Sequence, residues 1–155
     1  MLERSLKFIH VAVQALALML ARPSGRQVAA LCLRDGKVGK DVLLVSSLQS
    51  DRWIIPKGWP IAGKDFPNAA LAEAWEEAGV RTGRVQNEKI GQYTYIKKNK
   101  NGTKFTCLVD VFAVQVKGLA DEFPESSRRR RQWVTQSEAI TLVREPTLKK
   151  IIGAI

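Results

Sequence analysis

A chain of 155 residues, 45% hydrophobic and 26% charged, carries enough apolar material for one globular domain with a sizeable core, which excludes an intrinsically disordered chain. Lysine and arginine number 25 against 15 acidic residues, a formal charge of +10, so the surface draws anions such as nucleic acid, acidic lipid or a polyphosphate. A lysine-rich solvated surface explains the same number, so charge alone selects no partner.

From the N-terminus, Arg4 and Lys7 precede an apolar stretch at residues 8–21, interrupted by His10 and Gln14. It resembles a short signal peptide, but it is interrupted, too short to span a bilayer and followed by nothing that looks exported, so it is expected to form an amphipathic helix packed on the domain or against a second chain. Such packing makes an oligomer through this helix an expectation, with no membrane span. Pro23, Ser24 and Gly25 mark a break, dividing an N-terminal segment at 1–25 from a domain at 26–155. Residues 27–34 and 41–47 read as strands around the Asp35-Gly36 turn, and 52–55 as a short strand stopped by Pro56. Two prolines and two glycines make 56–65 a loop. Asp65 then suits an N-cap, Pro67 the first turn, residues 69–78 a helix, and Gly79 its left-handed C-terminal cap. Strands are expected at 90–97 and 104–116, joined by a hairpin at Asn101-Gly102, and helices at 137–144 and after Pro146. Cys32 and Cys107 sit in apolar, β-rich runs without a Cys or His at metal-ligand spacing, so they read as core residues in a reducing, cytoplasmic setting. His10 is the one histidine, which disfavours a mechanism built on a histidine base.

The informative segment runs from Pro56-Lys57-Gly58 to Glu73-Ala74-Trp75-Glu76-Glu77-Ala78-Gly79-Val80. With Glu73 at zero and about 100° per residue, Glu77 falls near about 40° and Glu76 near about −60°, so three carboxylates share a face. Leu71, Ala74 and Ala78 fall between about 100° and about 160° on the same wheel and form an apolar stripe. Clustered carboxylates repel one another, and a hard divalent cation that prefers oxygen ligands turns the repulsion into binding. A lone Glu-x-x-Glu-Glu more often marks a solvated acidic face; its setting after a Gly-Pro loop makes the difference.

This pattern resembles the Nudix box: a glycine, a fixed spacer, then a glutamate-rich helix closed by a glycine. Gly58, Glu73, Ala74, Glu76, Glu77, Gly79 and Val80 stand at the matching spacings, and Arg-Trp-Ile-Ile-Pro-Lys-Gly-Trp resembles the family's lead-in. The resemblance extends from about Gln27 to about Ile152. Two positions depart from it: Lys64 stands where the box has a glutamate, and Ala72 where it has an arginine. In the family these side chains can brace the loop on the helix, and losing both leaves no orphaned charge.

The resemblance implies an α/β fold, a Nudix α/β/α sandwich with a mixed sheet, here with an extra N-terminal helix. It implies Mg²⁺, or Mn²⁺, held by Glu73, Glu76 and Glu77 with the Gly58 carbonyl, and a general base at Glu76 or else Glu73. The segments Val-Leu-Leu-Val-Ser-Ser, Asp-Arg-Trp-Ile-Ile-Pro and Arg-Arg-Arg-Arg-Gln-Trp look most like the diphosphoinositol polyphosphate and dinucleoside polyphosphate hydrolases. The expected activity is therefore hydrolysis of a diphosphate linkage in a small, phosphate-rich substrate. Arg26, Arg52, Lys57, Arg129 and Arg131 are the substrate-binding candidates, with Lys64, Lys97, Lys98, Lys100, Lys104 and the rest of the 128–131 arginine run behind them. The alternative is a weakened or non-catalytic module that binds nucleotide or RNA through the same basic surface. Nucleic acid is the less favoured partner, since no recognition motif is present and aromatics are 7% of the chain.

Overall fold

The computed structural model describes residues 25–155, together with residues 5, 6, 9 and 10. Those four N-terminal residues are helical; the rest of the expected N-terminal helix, and its role in oligomer formation, lies outside the described residues.

The chain enters through β1 (Gly25–Gly36), turns into β2 (Gly39–Ser46) and continues through the short β3 (Trp53–Ile54) and β4 (Lys57–Gly58). Helix α1 (Phe66–Ala78) follows, then β5 (Val80–Val85), β6 (Gly91–Lys98), β7 (Lys104–Leu119), β8 (Arg131–Thr135), α2 (Gln136–Leu142) and α3 (Pro146–Gly153). All eight strands join one sheet in which β1 and β7 run parallel and every other pair is antiparallel.

The central strand decides the layering. β1 is buried without interruption from Gln27 to Leu33, so both of its faces must be covered. Side chains alternate across a strand: Ala29, Leu31 and Leu33 pack with Leu148, Ile151 and Ile152 of α3. Val28, Ala30 and Cys32 pack with Ala69, Ala70, Ala74 and Ala78 of α1. Helices on both faces of a mixed sheet make the expected α/β/α sandwich.

Most expected elements are present, and the hairpin closes as expected, with Gly102 at φ 87° and Lys98 opposite Lys104. Three strands depart from the expectation. Lys57 and Gly58, expected in a loop, pair with Ala29 and Val28 of β1. N-terminal to Leu33, where β2 leaves it, β1 has backbone groups that need partners, and β4 supplies them at Val28 and Ala29 despite its flanking proline. β5 has a weak apolar pattern (Val-Arg-Thr-Gly-Arg-Val) and is held as a strand by its pairing with β7. β8 begins inside the arginine run and is held by pairing with residues 41–45 of β2. Among the described residues, no helix is long and apolar enough to cross a membrane.

Candidate active site

The site is set by the β4–α1 connection. The Asp65 side chain accepts a hydrogen bond from the Asn68 N–H at 3.0 Å, satisfying one orphan donor of the first turn of α1. Gly79 ends the helix in the left-handed region (φ 69°, ψ 28°), and its N–H reaches the Ala74 and Trp75 carbonyls. A side chain there would also strike Phe123 and Arg131, so the cap glycine is required twice over. Gly58 is fixed by close approach: a Cβ at this position would run into the Glu73 carboxylate.

The three box glutamates do not share one environment. Glu77 is buried, 6% exposed, in the same sector of α1 as Ala70, Ala74 and Ala78. Glu73 is half-buried and Glu76 is exposed. The apolar stripe and the carboxylate face therefore overlap at Glu77, which corrects the helical-wheel picture of two separate faces. Leu71, on the far rim of that stripe, is only half-buried.

Burial leaves Glu77 with few partners and strong ones. Its Oε1 lies 3.1 Å from the Arg129 guanidinium, and its Oε2 accepts the Lys57 backbone N–H at 3.3 Å. Arg129 is itself 7% exposed, donates to the Ser46 carbonyl at 2.9 Å, and lies 3.4 Å from Glu125. Glu125 is anchored by its N–H, which donates to the Glu76 carbonyl at 3.0 Å. Glu77 and Glu125 thus meet on one arginine, and Glu73 lies close enough to feel its charge.

Burial pushes the Glu77 carboxyl up to about 7, against the pull of Arg129 and Lys57 and with added repulsion from Glu73 and Glu125. Glu73 is raised for the same first reason, burial, and then by Glu76 and Glu125. Lys57, whose ammonium lies 4.8 Å from the centre of the Tyr95 ring, is pushed down to about 8 chiefly by burial. The sign for stability follows. A carboxyl that holds its proton more tightly when folded stabilises fully below its ordinary value near 4.5, and that contribution is lost as pH rises through about 7. The melting temperature of the metal-free protein is expected to fall between pH 4.5 and 7. Glu77→Gln should flatten that fall, and equal slopes in the two proteins would show that Glu77 does not titrate in this window.

Beside these carboxylates opens a cleft of about 270 Å³ whose lining includes Arg52, Lys57, Glu77, Lys97, Lys98 and Arg129. Arg52 forms a 2.7 Å ion pair with Glu145, which, despite the cost of burial, is held low by its hydrogen bond from Arg52. The other terminal nitrogen of Arg52, Nη1, is buried without a hydrogen-bond partner. Of the sequence candidates, Arg52, Lys57 and Arg129 meet here with two hairpin lysines. Arg26 is elsewhere, paired at 2.6 Å with buried Asp110 and lying over Phe66. Arg131 donates to the Ala78 carbonyl at 2.8 Å and stacks on Phe123, closing the end of α1. Lys100 and Lys104 remain on the exposed hairpin. Sequence reasoning missed Glu125, which lies in a loop with no periodicity, and Tyr95, whose hydroxyl donates to Gln27.

A family model for the NUDIX domain matches residues 23–152. The chain belongs to the Nudix family. Among curated relatives, Nudix hydrolase 21, chloroplastic, of Arabidopsis thaliana is 35% identical over 118 residues, covering 74% of this chain and 56% of that protein. Diphosphoinositol polyphosphate phosphohydrolase 3-alpha of Mus musculus is 28% identical over 120 residues, covering 76% and 68%. This Nudix chain spans 56%, 64% and 45% of the lengths of three matched Arabidopsis proteins. Among solved structures, the C. elegans Ap4A hydrolase superposes with a TM-score of 0.57 at 18% identity, covering 83% of this chain and 92% of that one. This last similarity is one of fold.

The two departures from the Nudix box face away from the cleft just described. Lys64 and Ala72 line one common surface on the other side of α1. Being neighbours, they should accept the ordinary pairing. Lys64→Glu with Ala72→Arg is expected to show a coupling of about 0.5–1 kcal/mol in a double-mutant cycle on stability. Additive single changes would show that the two positions do not meet.

Proposed function

We propose that this Nudix protein is a divalent-metal-dependent hydrolase of diphosphate linkages in phosphate-rich substrates of the dinucleoside polyphosphate or diphosphoinositol polyphosphate type. The observation that carries this reading is the cationic cleft opening directly beside the box carboxylates, with an unsatisfied Arg52 nitrogen in its wall. A buried guanidinium nitrogen without an acceptor is costly unless a ligand supplies one, and phosphate oxygens fit its fork geometry. The names of the matched relatives point the same way: one acts on diphosphoinositol polyphosphate, and a structural neighbour on Ap4A.

Glu73, Glu76 and Glu77, with the Gly58 carbonyl, would hold Mg²⁺ or Mn²⁺. The donor set is all hard oxygen, and burial and mutual repulsion, which raise Glu73 and Glu77 despite Arg129 and Lys57, would both be offset by a bound cation. Among the described residues, no three acidic, His or Cys side chains already converge on one point. Glu77 is turned to Arg129 instead, so loading requires it to share or release that partner. When bound, the ion would neutralise charge on the phosphates and lower the pKa of a bound water.

The chain's own residues supply the rest. Glu76 is the proposed general base: it is exposed on α1, one turn from Glu73, and its side chain makes no hydrogen bond or ion pair among the described residues. Glu73, held against Gly58, is the second candidate for that role. Arg52, Lys57, Lys97 and Lys98 would bind the phosphates remote from the cut, and Arg129 would position Glu77. We place the protein in the cytoplasm, since both cysteines are free and buried and burial pushes the Cys32 thiol up to about 12, as suits inert core thiols. Release of hydrolysis products from a substrate panel with and without Mg²⁺, followed by chromatography, tests the reading. The second reading, a binding module without turnover, is favoured by one feature, the Arg129–Glu77 ion pair, and predicts binding with no metal-dependent release.

A further inference from the structure

The described structure has a second cleft, apart from the one beside Glu77 and larger than it. It has a volume of about 720 Å³ and lies between the outer side of α1 and the sheet-edge strand β5. On the helical wheel of α1, Leu71, Ala72, Asn68 and Trp75 fall between about 160° and about 260° from Glu73, opposite the box carboxylates. The two clefts therefore sit on opposite sides of the same helix.

Its lining divides into two kinds of surface. Leu71, Ala72, Trp75 and Val80 form an apolar floor, while Lys64, Arg81, Arg84 and Lys117 supply four exposed cations, and no carboxylate lines the cleft. None of those four makes a salt bridge or side-chain hydrogen bond among the described residues. By contrast, Arg26, Arg34, Arg52, Arg128, Arg129 and Arg130 are all ion-paired. Trp75 is likewise the one tryptophan with no aromatic or cationic partner among the described residues. Trp53 and Trp133 lie under arginines, and Trp59 stacks on Phe105. Both departures from the Nudix box open onto this surface. Lys64 adds a cation where the box has an acid, and Ala72 leaves room over the floor where the box has a long side chain.

We propose that this cleft is a second ligand site, separate from the catalytic one, which binds a nucleotide by its phosphates on Lys64, Arg81, Arg84 and Lys117 and its base on Trp75. Guanidinium and ammonium groups that make no salt bridge, in a cleft lined by no carboxylate, favour a multiply charged phosphate chain. The free indole and the aliphatic floor favour a flat ring over a bare anion, since aromatic faces take bases by stacking. The volume is that of a small-molecule site. Cations on an edge strand also discourage sheet-to-sheet pairing, but that role needs neither Trp75 nor Lys64 on the helix side.

The proposal does not rest on the catalytic reading, and its test excludes metal. ATP and inorganic tripolyphosphate are titrated calorimetrically against the full chain in EDTA. Arg81→Ala with Arg84→Ala, and separately Lys64→Glu, should weaken a component of ATP binding by at least about tenfold, since each removes or reverses charge-assisted contacts. All three residues are exposed, so melting temperatures should hold. Trp75→Leu should weaken ATP severalfold while sparing tripolyphosphate. Arg52→Ala, in the other cleft, should spare the component that the arginine pair abolishes. No ATP binding at millimolar concentration, or ATP binding untouched by both charge variants, overturns the site. Tripolyphosphate and ATP responding alike to Trp75→Leu overturns the nucleotide assignment. The Arg81, Arg84 variant should keep wild-type hydrolysis, and loss of hydrolysis there would show that the cleft belongs to the catalytic site.

Discussion

Glu77→Gln and Glu76→Gln are each expected to lower turnover by at least about a hundredfold, the scale of losing a metal ligand or a general base. The two variants test different things. Glu77 is buried on the helix side of the cleft, tied to Arg129 and to the Lys57 N–H, and a glutamine oxygen can still accept that N–H. Its charge is disfavoured by burial, so the neutral variant should fold at least as well as the wild type near pH 8 without metal. Glu76 is exposed and its side chain makes no hydrogen bond or ion pair among the described residues, so its replacement should leave the fold intact. A stable protein with lost turnover in both cases therefore reports chemistry. Wild-type turnover by both variants on a confirmed substrate would remove the site assignment.

Substrates carrying several phosphates should be cut with higher kcat/KM than nucleotide sugars, by one to two orders of magnitude at low salt, about 1.4–3 kcal/mol of added charge-assisted contact. Nudix chemistry asks only for a diphosphate and a metal, so selectivity must come from the walls of the cleft. Those walls carry Arg52, Lys57, Lys97 and Lys98. The preference should shrink as salt rises from about 0.05 to 0.5 M, because exposed charges are screened over a shorter distance. Lys97→Ala with Lys98→Ala should raise KM for the polyphosphate and leave that for a nucleotide sugar nearly unchanged. Arg52→Ala should do the same more strongly, with some loss of stability, since it strands buried Glu145. Arg129→Ala is expected to behave differently: loss of the side chain that positions Glu77 should depress kcat on every substrate. Equal kcat/KM for both classes at low salt, unmoved by the lysine changes, would remove the polyphosphate reading and leave the family membership standing.

What the sequence disclosed, and what it hid, divides along physical lines. The hairpin, the Asp65 cap and the Gly79 stop were legible because each is a local requirement met by particular residues. The alternation of β1 between two cores was implicit in its unbroken apolar run. The strands β4, β5 and β8 were not legible, because their sequences favour loops or solvent and only their sheet partners make them strands. The wheel placed the three glutamates close together but could not say that Glu77 lies under the loop, since burial depends on what packs over the helix. The arginine run looked uniform and is not. Arg129 holds glutamates, Arg130 pairs with Asp51, and Arg131 holds a helix end, a division set by the two-residue alternation and the turn before β8. Arg26 was equally ambiguous, because its partner Asp110 is 84 positions away.

The most direct measurement is chromatographic detection of the hydrolysis products that the purified protein releases from a panel of dinucleoside polyphosphates, diphosphoinositol phosphates and nucleotide sugars, with Mg²⁺ and with EDTA, beside Glu76→Gln. Turnover of a phosphate-rich substrate that needs Mg²⁺ and is lost in the variant is the predicted result. Binding of these compounds with no metal-dependent release from any of them would contradict it and make the protein a Nudix-fold binding module.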